Sequence, residues 1–278
     1  MRITKADGTR ESFDPHKLTR SLERSGVERE VAQSVLREIE TELYDGITTQ
    51  EIYRRAFARL RTHKRPAAAR YSLKRAVLEF GPSGFPFEAY LAELFRAEGY
   101  ETGIDRIISG ICVEHEVDVV LKKGATSTYV EAKFHNAAGF KTDLKTVLYV
   151  QARVEDIAAA ARGRGDSSAV AGMVVTNTKF TSHAVQYSAC AGLELLSWEQ
   201  PRGRTLHDRI EAQGLYPVTA LTTLSRREKL DLLSQRVVLC SALPRDTRAL
   251  ASAGVSGKKA DHVLEEAASL CAPGSLVQ

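Results

Sequence analysis

Two short runs of this chain place carboxylates at strand spacing. Glu116-Val117-Asp118-Val119-Val120 is followed, after Lys122-Lys123-Gly124-Ala125-Thr126, by Tyr129-Val130-Glu131-Ala132-Lys133-Phe134. Val-rich runs separated by a polar, Gly-containing turn predict a two-stranded hairpin. Strand side chains alternate between faces, so Glu131 and Lys133 share one face, and Glu116 and Asp118 share a face of the preceding strand. A register that joins the two sets gathers three carboxylates and one ammonium group. Hard carboxylate oxygens suit Mg²⁺ or Mn²⁺, and a neighbouring Lys can steady a phosphate or an attacking water. The chemistry predicted is phosphodiester hydrolysis.

The elements that must hold this hairpin read as α/β. Phe87, Leu91, Leu94 and Phe95 form the apolar side of an upstream helix that stops at Gly99-Tyr100. One or two strands follow from Ile104 to Val113. Residues 143–161 predict a long helix on Leu144, Val147, Leu148, Val154 and Ile157. Ala169–Thr176 is too apolar for a surface strand and reads as buried. A helix through Ala184–Tyr187 and a strand Leu193–Leu196 complete the order αβββαβαβ.

The flanking regions differ in pattern. Before the linker Gly81-Pro82-Ser83-Gly84, the chain opens with a strand Arg2–Lys5, a turn at Asp7-Gly8 and a helix start at Asp14-Pro15. Three more helices follow: one on Val31, Val35 and Ile39, one from Thr48 or Thr49 on Ile52, Ala56 and Leu60, and one after Pro66 on Tyr71, Leu73 and Val77. No Asp or Glu stands between Ile52 and Leu78, where Arg54, Arg55, Arg59, Arg61, Lys64, Arg65, Arg70, Lys74 and Arg75 fall. That run reads equally as a solvated helical face or a phosphate-binding surface. From Leu215 the chain is again helical, with Ser225 and Glu228 in capping-box spacing and a Gly254-x-x-Gly257-Lys258 turn.

A length of 278 residues suits two or three domains, and 43% hydrophobic with 27% charged residues fits a soluble globular chain. The net charge of +4 weakly favours a polyanionic partner. Cys112, Cys190, Cys240 and Cys271 lack metal-site spacing and fit reduced thiols, which argues against a disulfide-stapled secreted domain. Without a signal peptide or a membrane-length apolar run, the expected location is the cytoplasm, with no membrane partner.

Two resemblances add to this reading. Ile3-Thr4-Lys5-Ala6-Asp7-Gly8, Glu11, Phe13-Asp14-Pro15-His16-Lys17-Leu18, Ile47-Thr48-Thr49-Gln50-Glu51-Ile52 and Arg70-Tyr71 resemble the ATP-cone, a nucleotide-binding regulatory module. The resemblance implies that Lys5 and Lys17 hold the phosphates of ATP or dATP. The chain departs from the pattern at Ala6, where the family commonly has a basic residue. Asp118 with Glu131-Ala132-Lys133, behind the helix Phe87-Glu88-x-x-Leu91 and ahead of Val174-Val175-Thr176-Asn177, resembles the PD-(D/E)xK nucleases of the Mrr-like restriction endonuclease branch. This implies Asp118 and Glu131 as metal ligands, Lys133 as a phosphate or water contact, Glu88 as a further metal or water contact, and Gln151 as a site-facing amide.

The expected chain is therefore α/β: a mostly helical ATP-cone over 1–80, a restriction-endonuclease-like αβββαβ core over 84–200, and a small helical region over 215–278 that loosely resembles a helix-hairpin-helix. The expected function is Mg²⁺-dependent DNA endonuclease activity regulated by ATP or dATP, in a homo-oligomer. The alternatives are a non-catalytic, nucleotide-responsive DNA-binding regulator and a structure-specific or RNA nuclease on the same fold.

Overall fold

The structure is a computed structural model that describes residues 1–272. Its contacts fall into two compact units, one of residues 1–79 with the described residues from Gly214 onward, the other of residues 80–213.

In the first unit, β1 (Arg2–Thr4) pairs antiparallel with β2 (Arg10–Ser12) around the predicted turn, where Gly8 takes φ 81°. α1 (Pro15–Arg24) starts at Asp14, whose carboxylate accepts the N–H of His16. α2 (Arg29–Thr41) and α3 (Thr49–His63) follow, the latter capped by Thr48. Leu18, Leu22, Val35, Ile39, Ile52 and Leu60 form the core they share. The single helix expected after Pro66 is two, α4 (Arg65–Tyr71) and α5 (Leu73–Leu78), broken at Ser72, whose hydroxyl donates to the carbonyl of Ala69. Part of the basic run is paired within this unit. Arg55 bonds Glu42 and Glu51, Arg59 bonds Glu38 and Glu42, Arg75 bonds Glu79, and Arg70 is buried.

The second unit begins with α6 (Phe85–Ala97), β3 (Glu101–Ser109), β4 (Glu114–Lys123) and β5 (Thr126–Lys133). Then come β6 (Lys141–Thr142), α7 (Leu144–Gly163), β7 (Ala169–Thr176), β8 (Lys179–Phe180), α8 (Ser182–Ala191), β9 (Glu194–Leu196) and α9 (Leu206–Gln213). The αβββαβαβ order is present, with β6 and β8 as an added two-residue parallel pair. Only one strand, β3, occupies the stretch before β4. The main sheet runs β3-β4-β5-β7-β9, antiparallel through β5 and parallel beyond it. β7 has neighbours on both sides, which is why Met173, Val174 and Val175 are buried and its sequence is continuously apolar.

Two contacts set the geometry of the hairpin. Phe134, next to Lys133, packs on Phe80 and Phe87, with ring centroids at 6.4 and 5.8 Å, so the residue before Glu88 is held against the residue after Lys133. Asp156 of α7 accepts the N–H of Cys112 at 2.9 Å and meets His115 Nε2 at 2.8 Å, tying the β3–β4 turn to α7. Gly110 is required there, since a Cβ would fall 1.8 Å from Asp156 Oδ2.

The chain returns to the first unit through α10 (Arg226–Ser234), α11 (Thr247–Ser252) and α12 (Gly257–Cys271). Thr219 Oγ1 donates to the carbonyl of Ala76 at 2.7 Å, and the predicted capping box of Ser225 and Glu228 is formed. Buried Glu266 accepts the N–H and hydroxyl of both Thr222 and Thr223. Residues 273–278 of the expected C-terminal region lie outside the described residues. Among the described residues, no helix is long and apolar enough to cross a membrane.

Candidate active site

The register of β4 and β5 answers the question the sequence raised. Val119 lies opposite Val130 and Val120 opposite Tyr129. One step further along the same register sets Asp118 opposite Glu131, and Glu116 falls opposite Lys133. The main-chain ladder gives way at this point, and Asp118 Oδ2 accepts the N–H of Ala132 at 2.6 Å. Asp118 and Glu131 thus face each other across a splayed strand end, with Lys133 exposed beside them. Glu88 of α6 completes the group: its carboxyl is pushed up to about 7 by burial and then by the charge of Asp118. Burial, and then the charge of Glu131, push Asp118 up to about 6. The structure brings Glu88, Asp118 and Glu131 together; Glu116 stays exposed, opposite Ile107 of β3.

Asp105 also belongs to this group. On β3, Ile104 is opposite Val119 and Arg106 opposite Val117, which leaves Asp105 against Asp118. Its φ of 49° interrupts the ladder, a conformation that Asp tolerates better than most residues, and its nearby carboxylate helps to push the Glu88 carboxyl up. The carboxylates of Asp105, Asp118 and Glu131 therefore form a row across three strands.

The counter-charge comes from α7. Arg153 Nη1 donates to Glu131 Oε2 at 2.8 Å and Nη2 to Tyr149 Oη at 2.7 Å, with the guanidinium over the Tyr149 ring at 4.6 Å. Gln151, the expected site-facing amide, instead donates to Glu155 at 2.7 Å, one turn along its own helix. Its neighbour two residues on is the side chain of α7 that reaches the carboxylates.

Among the described residues no three His, Cys, Asp or Glu side chains converge closely enough to hold an ion unaided. Mg²⁺ keeps several waters and commonly takes only one or two protein carboxylates. The facing oxygens of Asp118 and Glu131, with the main-chain carbonyl of Ala132 next to Glu131 in sequence, fit that demand, as they fit Mn²⁺.

Three further polar side chains of this unit have structural partners. His115 is held by Asp156, whose carboxyl that hydrogen bond keeps down at about 2. Asn177 is fully buried and exchanges two hydrogen bonds with the backbone of His135, at 2.8 and 2.7 Å. Lys179 pairs with Glu199. In the first unit, Lys5 and Lys17 converge on one carboxylate, Glu11, at 2.6 and 3.6 Å, and the hydrogen bond from Lys5 holds Glu11 below its ordinary range.

With this geometry in hand, the similarities along the chain become specific. The ATP cone domain matches residues 1–77, the restriction endonuclease domain of the Mrr catalytic type matches residues 82–200, and the AF1548-like C-terminal domain matches residues 216–271. A protein of Archaeoglobus fulgidus, described as uncharacterized, is 34% identical over 179 residues, which is 64% of this chain and 97% of the relative. The chain belongs to this AF1548-like family, with an ATP cone ahead of its restriction endonuclease domain. The crystal structure of AF1548, titled a protein of unknown function, superposes with a TM-score of 0.56 at 30% identity, covering 68% of this chain and 98% of that one.

Two site residues escaped the sequence reading of this family member. Arg153 carried a usable signal: it stands on the helical stripe of Val150, Val154 and Ile157, all buried, where an arginine must find a partner. Asp105 carried none, because its role depends on a backbone angle that its neighbours Ile104 and Arg106 do not announce.

Proposed function

We propose that this protein is a divalent-metal-dependent DNA endonuclease, with Mg²⁺ or Mn²⁺ as its metal, whose activity responds to ATP or dATP at the cone. The observation that carries the reading is the opposition of Asp118 and Glu131 at the splayed end of β4–β5, beside Lys133 and under Glu88. Asp118, one oxygen of Glu131 and the carbonyl of Ala132 would hold the ion, which when bound polarises a phosphate oxygen and acidifies a water. Arg153 keeps Glu131 oriented by occupying its other oxygen. Lys133 steadies the attacking water or the charge that gathers on the phosphate. Glu88, whose carboxyl sits near neutrality, is poised to take or give a proton at its own oxygens. In the cone, Lys5 and Lys17 are set within reach of one anionic group, which suits triphosphate oxygens that would displace or bridge Glu11. Nucleotide would act by changing how protomers associate, since two paired nuclease domains can cut both strands.

The test is cleavage of plasmid, branched and single-stranded DNA and of RNA, with Mg²⁺ or Mn²⁺, with and without ATP or dATP, beside Glu131→Ala and Lys133→Ala. The expected result is DNA cleavage by the wild type and a loss of roughly 10²-fold or more in each variant, the scale of losing one preorganised electrostatic contact. Equal behaviour of all three proteins sinks the nuclease reading. Equal rates and equal oligomer size with and without nucleotide sink the regulatory one.

A further inference from the structure

Two aromatic rings, one on the segment that follows Lys133 and one on α7 beside Arg153, remain open to solvent, Phe140 at 59% exposure and Tyr149 at 56%. Both are fixed in place by contacts to the site. Phe140 stacks on His135, with centroids at 5.7 Å and planes within 4°. His135 lies two residues past Lys133 and is anchored by Asn177 on its backbone and by Thr142 on its ring. Tyr149 is held through Arg153, which bonds its hydroxyl, covers one face of its ring and reaches Glu131. Each ring therefore has one face covered by a cationic or heteroaromatic neighbour, and an open face beside a site suited to a phosphodiester.

The charge around them selects the occupant. Lys133, Lys141 and Lys145 are exposed along the same stretch, while Asp143 accepts the N–H of Thr146 as the cap of α7. Exposed rings interleaved with lysines match a nucleic-acid strand, with phosphates on the ammonium groups and bases on the rings. Within a continuous duplex both faces of each base are already stacked, so a ring gains a contact only from a nucleotide that is unpaired or splayed.

We propose that Phe140 and Tyr149 are stacking platforms for unpaired bases of a DNA strand, so the substrate class is single-stranded DNA or a single-stranded stretch within a larger DNA. The proposal rests on the nuclease reading for where the scissile phosphate lies, but strand binding itself does not require cleavage.

Binding can be measured on the full-length protein with Ca²⁺ in place of Mg²⁺. The probes are a short labelled DNA single strand, the same sequence as a blunt duplex, the same sequence as RNA, and a single strand with an internal 2-aminopurine. The single strand should bind more tightly than the duplex and quench 2-aminopurine on binding. Phe140→Ala should weaken single-strand binding about 5- to 150-fold, the range a lost base–aromatic stack gives, with duplex binding changed less than about twofold. Phe140→Leu, which keeps apolar bulk, should lose the quench as well, whereas Phe140→Trp and Tyr149→Phe should retain it. Equal affinity for single strand and duplex, tighter binding of RNA, or an unaltered Phe140→Ala overturns the proposal. So does a concentration-dependent dimer that Phe140→Ala abolishes, because the face would then belong to a second copy. If strands bind as expected but no DNA is cut in Mg²⁺, the nuclease reading fails and this one stands. If single-stranded DNA is cut equally by wild type and Phe140→Ala, this one fails and the nuclease reading stands.

Discussion

The two units handle converging charge in opposite ways. At the sheet end of the second unit, Glu88, Asp105, Asp118 and Glu131 crowd together with Arg153 as the counter-charge in contact, and two of the four carboxyls are driven toward neutrality. In the cone, Lys5 and Lys17 share Glu11, and that carboxylate is stabilised in its charged form. The first arrangement stores unfavourable interaction that a bound cation would relieve. The second is closer to balance without any ligand, so an incoming anion must compete with Glu11. The same elementary electrostatics therefore predicts a site that gains stability on binding its ion and another that gains little.

That contrast can be broken at three points, in falling order of effect. Arg153→Ala removes the counter-charge from a nearly buried carboxylate and should cost about 3 kcal/mol of unfolding free energy, the lower end for a broken buried pair. Denaturant unfolding of the variant checks it, and a loss below about 1 kcal/mol would mean that Glu131 is solvated rather than held. Asp118→Asn should do the reverse and stabilise the protein at pH 8 by roughly 1–2 kcal/mol in the absence of metal. The sign follows from its raised pKa. The folded state holds the Asp118 proton more tightly than the unfolded state does, so wild-type stability falls as pH rises from the ordinary Asp range through about 6. Glu88 extends that fall to about 7. The gain in Asp118→Asn should therefore vanish below the ordinary Asp pKa, and unfolding curves at about pH 8 and about pH 3 read the difference. Lys17→Ala should leave stability within about 1 kcal/mol, as exposed ion pairs do, yet weaken ATP binding by roughly tenfold. Unchanged nucleotide affinity in both Lys17→Ala and Lys5→Ala would remove the cone from the account.

How far the sequence carried this reading varied with the physics involved. Strand alternation and the Val-rich runs are local, so the β4–β5 hairpin and the face that Glu131 shares with Lys133 were legible directly. The buried character of β7 was legible too, because a strand with two neighbours needs apolar residues on both faces. Register was not: whether Asp118 met Glu131 depended on the turn length, and only the pairing of Val119 with Val130 decided it. The break at Ser72 was missed because the apolar spacing of Tyr71, Leu73 and Val77 reads as continuous. The basic stretch from Arg54 to Arg75 stayed open between its two readings for a related reason, since Glu38, Glu42 and Glu51, the partners of Arg55 and Arg59, lie outside the stretch. Gln151 drew attention by its type, whereas Arg153 holds the site by its position on the buried stripe.

Cation binding at the carboxylates is the direct test, because it needs no substrate. Mg²⁺ titrated calorimetrically into wild type, Asp118→Asn and Glu131→Ala at pH 8 should give one saturable event in the wild type that both variants lose, with a matching rise in the wild-type unfolding temperature alone. Identical heats and identical unfolding shifts in all three proteins would contradict the account.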